Sequence, residues 1–256
     1  MKKNKTLGII LLLLVLAWEG LVRIFSVPVF ILPPPTAIFA ALGKHWELLL
    51  FVHLPVTLSE VFLGLFLSIV IGLGAAMLIH FSEIGARVLY PMVIASQTIP
   101  IVALSPILIM WFGYSIWGKV AVTVLISFFP IVVGGVDGLR ATNQEWVQLM
   151  KTMGANARQI FFKVQVPQAL PAFFSGLKVA ATASVIGATI GEWLGASEGL
   201  GYFSRRASNN LQADLLFATV LILSLAGFVL FLCIQWIEKK SIPWFYNEKN
   251  KGKGVE

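Results

Sequence analysis

The stretch "GATIGEWLGASEG", residues 187–199, places one carboxylate inside a row of glycines. Gly187, Gly191, Gly195 and Gly199 recur every fourth residue, Ala183 extends the row backwards, and Glu192 interrupts it. Small residues four apart share a helix face and let another backbone approach closely. An ionisable side chain in an apolar run is costly in lipid and is by default a functional candidate. A second candidate group is Gln97 and Ser105, with Ser96 and Thr98, in a run that also holds Pro91, Pro100 and Pro106. Proline is tolerated in a membrane helix where the freed carbonyls find partners or line a wet cavity. Gln97 and Ser105 are therefore candidates to hydrogen-bond a polar solute, and a kink satisfied by neighbouring helices is the competing reading.

Other motifs carry less. "GYSIWGKV", 113–120, nearly matches the phosphate-cradling G-x-x-x-x-G-K-[ST] pattern, but Val120 stands where a hydroxyl must hold Mg²⁺. ATP binding is therefore expected on another polypeptide. His45, His53 and His80 are scattered, and the single Cys233 can form no internal disulfide. No metal or cofactor is expected, and no Ser–His–acid or paired-carboxylate arrangement is evident. Glu60 falls near the end of an apolar run, where solvent exposure and function are equally open.

The elements that must position these residues follow from composition. Of the 256 residues 58% are hydrophobic and 12% charged, about half the charged share of a soluble domain. Continuous apolar runs, each near the ~20 residues of a membrane-crossing helix, indicate an all-α polytopic membrane protein and exclude a β-barrel. Six spans are expected, at about 7–26, 56–80, 88–112, 116–136, 174–194 and 214–237. The first has the length of a signal-peptide core, but no small-x-small cleavage site follows, which favours a retained span. Glu19 and Arg23, four apart, can neutralise each other on one face.

With both termini in the cytoplasm, only Arg23, Lys44, Lys119, Arg205 and Arg206 of the 19 Lys and Arg lie outside. That bias fixes the orientation and explains the net charge of +7 without nucleic acid. The chain divides into a first span and external segment (1–55), a five-helix core (56–240) and a basic tail (241–256). In the external segment "ILPPPT" blocks helix until Thr36 can cap one. "AIFAALGKHWELLLF" then reads as a helix along the membrane surface.

The longest cytoplasmic connection, 137–173, has helical periodicity. Trp146, Leu149, Met150 and Met153 form one apolar stripe with Gln144, Gln148 and Lys151 opposite. Gly154 can end this helix in a left-handed cap, and Asn156 can start the next, which presents Ile160, Phe161 and Val164. Pro167 and Pro171 are expected to end that second helix. Interfacial helices packed on the protein's own spans and a docking element for a cytoplasmic partner both fit this pattern.

"GANARQIFFKVQVPQALP" resembles the cytoplasmic loop of permease subunits of bacterial ATP-binding-cassette importers. That loop runs EAA, three residues, Gly, then nine residues before Ile-x-Leu-Pro. Gly154 takes the Gly, Val164 the Ile, and Val166-Pro167 the Leu-Pro. Gln148-Leu149-Met150 replaces the EAA triplet, which removes a charge. "ILPPPTAIFAAL", "SQTIPIVALSPILIMWFGY", "FFPIVVGGVDGLR" and "IGEWLGASEGLGY" are similar to the branch of sulfonate, taurine, nitrate and thiamine-precursor permeases. "HLPVTLSEVFLG" and the "QLM" triplet look closest to permeases for thiamine pyrimidine precursors.

The resemblance implies a type I importer permease in the bacterial inner membrane, working as a homodimer over two copies of an ATPase. An extracytoplasmic solute-binding protein would deliver a small polar organic solute. A thiamine pyrimidine precursor is the first expectation, and an alkanesulfonate, taurine, nitrate or riboflavin-like solute the next. Gln148, Met150, Lys151, Gly154, Ala155, Asn156, Arg158, Phe161, Pro167 and Pro171 would form the ATPase-coupling loop. Gln97, Ser105, Ser184, Gly187, Gly191, Glu192 and Gly195 would lie along the path or its gate. For Glu192, an outer gate or dimer contact stands beside a hydrated interfacial position or an internal hydrogen bond. The rival class is a self-sufficient secondary transporter or an integral membrane enzyme; no convincing internal repeat supports it.

Overall fold

The computed structural model describes residues 2–246, and these are helical with short connections. In chain order the helices are α1 (Lys2–Ile24), α2 (Pro35–Glu47), α3 (Leu54–Phe81), α4 (Tyr90–Ser96), α5 (Ile101–Phe112) and α6 (Ile116–Arg140). There follow α7 (Gln144–Thr152), α8 (Ala157–Ile160), α9 (Val166–Gly195), α10 (Leu200–Asn209) and α11 (Ala213–Ser241). Among the described residues four helical stretches are long and apolar enough to cross a membrane: Pro35–Phe81, Ile116–Arg140, Ala157–Gly195 and Ala213–Ser241. A fifth is obtained if Gly85–Ser96 and Ile101–Phe112, bent by 95°, count as one broken span. The expected count of six is thus not confirmed; α1 forms a 23-residue helix but stands outside these stretches. Residues 247–256 of the expected basic tail lie outside the described residues.

Two sequence expectations about breaks fail for one physical reason. The segment after "ILPPPT" is not a separate surface helix: α2 runs through Leu48–His53 into α3 as one 47-residue stretch. Likewise Pro167 and Pro171 do not end the helix begun at Ala157, which runs through Phe161–Gln165 into α9. Both junctions are π-turns, as is Gly85–Leu89 ahead of α4. Each places a proline, Pro55, Pro91 or Pro167, at the second residue of the α-helix that follows. A proline ring in a regular α-helix collides with the carbonyl four residues back. Here the residue before each proline donates five back instead: Leu54 to Leu49, Tyr90 to Gly85, Val166 to Phe161. The wider turn moves the carbonyl off the ring, and the helix continues.

The tightest packing is between α6 and α9. A Cβ on Gly176 would strike the Pro130 carbonyl, on Gly187 the Thr123 backbone, and on Gly191 the Lys119 backbone. The glycine row therefore serves backbone approach, and its partner helix belongs to the same chain. α3 packs against both α6 and α9, and α11 against α9. Their shared apolar core includes Val61, Leu65, Ile131, Leu177, Ala181, Ala188, Ala218 and Leu223. The outer ends of α3, α6 and α9 thus meet at one place, and the α7–α8 elbow hangs from the inner end of α9.

Candidate functional site

At the inner end, two caps join α7 to α8. Gly154 adopts φ 79°, a left-handed conformation in which a side chain is strained. The Ala155 N–H donates to the Met150 carbonyl and the Gly154 N–H to the Lys151 carbonyl, both at 3.0 Å. This is a Schellman closure of α7, accompanied by apolar contact of Ala155 and Met150 with Val147, Ile160 and Val164. One residue on, the Asn156 side chain accepts the Gln159 N–H while the Gln159 side chain accepts the Asn156 N–H, each at 2.9 Å. That capping box starts α8. Gln168 of α9 accepts the Asn143 N–H at 2.9 Å, tying the start of α7 to α9. The elbow's shape is therefore set by its own backbone.

The expected apolar stripe largely faces outward, and Val147, which is not part of it, is the α7 residue that packs inward. Val147 is buried and Met150 half-buried, whereas Trp146, Leu149 and Met153 are 55%, 50% and 74% exposed. Ile160, Phe161 and Val164, which the second helix was expected to present, are buried within the chain, with Phe161 against Phe81 at 5.0 Å between ring centroids. Gln148, Lys151, Gly154, Asn156 and Arg158 are exposed, and Ala155, Pro167 and Pro171 half-buried. The loop thus leaves both apolar side chains and polar groups exposed.

At the outer end, Glu192 is buried to 1% exposure and caps α10. The first N–H groups of a helix have no partner within it. Around α10 each finds a side chain. The Gly199 N–H donates to His53 Nδ1 at 3.1 Å and the Leu200 N–H to Thr57 Oγ1 at 2.8 Å. The Gly201 N–H and the Tyr202 N–H, the latter at 3.3 Å, donate to Glu192 Oε2. Glu192 Oε1 accepts the Thr57 hydroxyl at 2.6 Å. A carboxylate at a helix N-terminus also meets the positive end of its dipole. Within the chain Glu192 thus sits in an internal hydrogen-bond network.

Beside this cap lies an ion pair that sequence reasoning missed. Glu60 is fully buried, not solvated, and accepts from Lys119 Nζ at 2.6 Å. The phosphate-loop look-alike is accordingly the start of α6, and its lysine faces α3. The Glu60 and Glu192 carboxyls are electrostatic neighbours. At the inner side a second pair, Lys178 Nζ to Glu238 Oε2 at 2.8 Å, joins α9 to α11. The available signal was opposite charge in separate apolar runs, since intramembrane charges pair. Glu19 also does more than neutralise Arg23 at 2.6 Å: it accepts the Thr36 N–H at 3.1 Å, capping α2 from α1. Thr36 itself is not the cap.

The remaining path candidates are dispersed. Gln97 is exposed at the break between α4 and α5. Ser105 is buried and donates to the Val102 carbonyl at 2.9 Å; Ser184 does the same to Ala181 at 2.7 Å. Gly187, Gly191 and Gly195 are buried along α9. Among the described residues no group of His, Cys, Asp and Glu is placed to hold a metal ion.

Residues 68–243 match the model of the binding-protein-dependent transport system inner membrane component family. The chain belongs to that family. It is a multi-pass inner-membrane permease subunit of the ATP-binding-cassette importer type, and not itself an enzyme. It is 48% identical to the formylaminopyrimidine transport permease ThiX of Halalkalibacterium halodurans, over 91% of this chain and 93% of that one. It is 42% identical to a probable ABC transporter permease of Haemophilus influenzae, over 88% of this chain and 91% of that one. Among solved structures, an inward-facing form of the MetNI methionine ABC transporter superposes with TM-score 0.62 at 19% identity. That superposition covers 79% of this permease and 97% of that chain, and establishes the fold.

Proposed function

We propose that this permease, as a homodimer, forms the membrane path for a formylaminopyrimidine, delivered by an extracytoplasmic binding protein and driven by two cytoplasmic ATPase subunits. The α7–α8 elbow is the seat of the ATPase, within a permease core of residues 56–240. One observation carries the coupling assignment: Trp146, Leu149 and Met153 are exposed on a face whose scaffold is fixed by two caps and by Gln168. Exposed apolar side chains clustered on a rigid mount fit a protein interface. Gly154 holds the turn, Asn156 and Gln159 start the second arm, and Phe161 anchors it beneath Phe81 and His80. Motion of the seat then passes along one continuous helix from Ala157 to Gly195. The substrate class is supported by the 48% identity to ThiX.

The test is co-purification and transport. The chain in mild detergent should co-elute with a soluble ATPase. Proteoliposomes holding both, with binding protein, should take up formylaminopyrimidine only with ATP. Full uptake by the lone chain without ATP would refute the partner assignment. ATP-driven uptake of a sulfonate in preference to the pyrimidine would refute the substrate. Gly154→Pro should insert in the membrane normally and abolish uptake.

A further inference from the structure

The outer end of the bundle holds a cavity of about 550 Å³ between the last turn of α9, α10 and the α5–α6 turn. Arg205, Arg206 and Asn209 from the C-terminal half of α10, with the capping Asn210, line it. Among the described residues none of these four side chains enters an ion pair. Tyr202, from α10 itself, and Trp193 and Tyr114 from the neighbouring segments also line it. The Trp193 indole is held in place by its Nε1–H bond to Ser204 Oγ at 3.2 Å. No carboxylate lines the cavity. The set is rich in donors and aromatic faces and poor in anionic acceptors, so it suits a planar ligand with acceptor atoms at its edge.

We propose that this cavity is a solute-receiving site on the permease itself, taking a small planar heteroaromatic such as a formylaminopyrimidine. Ring nitrogens and the formyl oxygen accept from the guanidinium and amide groups, while the ring lies against Trp193 or a tyrosine. This proposal rests on the pyrimidine reading above. The wall is not free to drift, because His53, Thr57 and Glu192 hold the four leading N–H groups of α10. Glu192 is thus a positioning residue for the site and makes no contact with the solute. The cavity begins one residue beyond it, at Trp193, at the end of the same helix that carries the elbow.

The test uses the full transporter and two variants, Asn209→Ala and Arg206→Ala. Formylaminopyrimidine binding is measured on the complex without binding protein, and uptake is measured against both solute and binding-protein concentration. Each variant should weaken solute binding about tenfold or more, in line with loss of a hydrogen bond to a charged or buried partner. Equal solute affinity with a weakened dependence on binding protein would assign the wall to protein docking and overturn the proposal. Wild-type uptake of the pyrimidine with unchanged variant binding would overturn the site alone. Absence of pyrimidine uptake by the wild type would overturn the substrate reading and this site together.

Discussion

The two ends of α9 treat polarity in opposite ways. Its outer end buries two carboxylates, a lysine, a threonine and a histidine, and gives nearly every one a partner inside the chain. Its inner end leaves a tryptophan, a leucine and a methionine exposed while burying the smaller Val147. Polar groups hidden in the membrane region and apolar groups shown to the cytoplasm both run against solvent preference. The outer arrangement is closed: helices α3, α6, α9 and α10 are clasped by their own side chains. The inner arrangement is open, and in the proposed function its exposed face receives the ATPase. Stability and coupling are therefore separable along one helix, and mutations at the two ends should differ in kind.

The largest effect is expected at the outer pair. Lys119→Met leaves Glu60 buried without its cation and should cost about 3–5 kcal/mol, read as a collapse of thermal stability in detergent. Glu60→Met with Lys119→Met should recover most of it, as buried pairs replaced by apolar residues are often neutral. An equal loss in the double variant would mean that the pair itself specifies the fold.

Next comes the α10 cap. Glu192→Ala strands the Gly201 and Tyr202 N–H groups and should cost about 1–3 kcal/mol, with faster amide exchange across Leu200–Asn209. Glu192→Gln should lose less. An amide oxygen can still face those donors, and the Thr57 hydroxyl can turn to the His53 carbonyl at 3.3 Å. Unchanged exchange in the alanine variant would remove the capping role. Smaller again is Gly154→Ala, where a Cβ meets no atom within 4 Å. Only the left-handed backbone is strained, at about 1 kcal/mol, seen as a small drop in thermal midpoint.

Much of this contrast was legible in the sequence. Apolar runs gave the class, and Gly154 and Asn156 gave the elbow, since caps are local chemistry. The proline breaks misled because a π-turn is a register change with no residue signature of its own, set by where the next proline ring falls. The pairing of Glu60 was missed because its cation, Lys119, is 59 residues away and sits in a motif that reads as a phosphate loop. Thr57 and His53 were missed because only folding brings them to α10, 143 and 146 residues along the chain. The glycine row was read as a packing face, but its partner, α6, required three dimensions.

The central claim is that the exposed inner face serves coupling and not folding. Leu149→Glu tests it most directly, in the transporter assembled with its ATPase in proteoliposomes. Thermal stability of the isolated permease should stay within about 0.5 kcal/mol of wild type. ATP-driven solute uptake should fall at least about tenfold, which a 1.4 kcal/mol loss at a desolvated interface suffices to produce. Uptake equal to wild type with the permease equally stable would contradict the account.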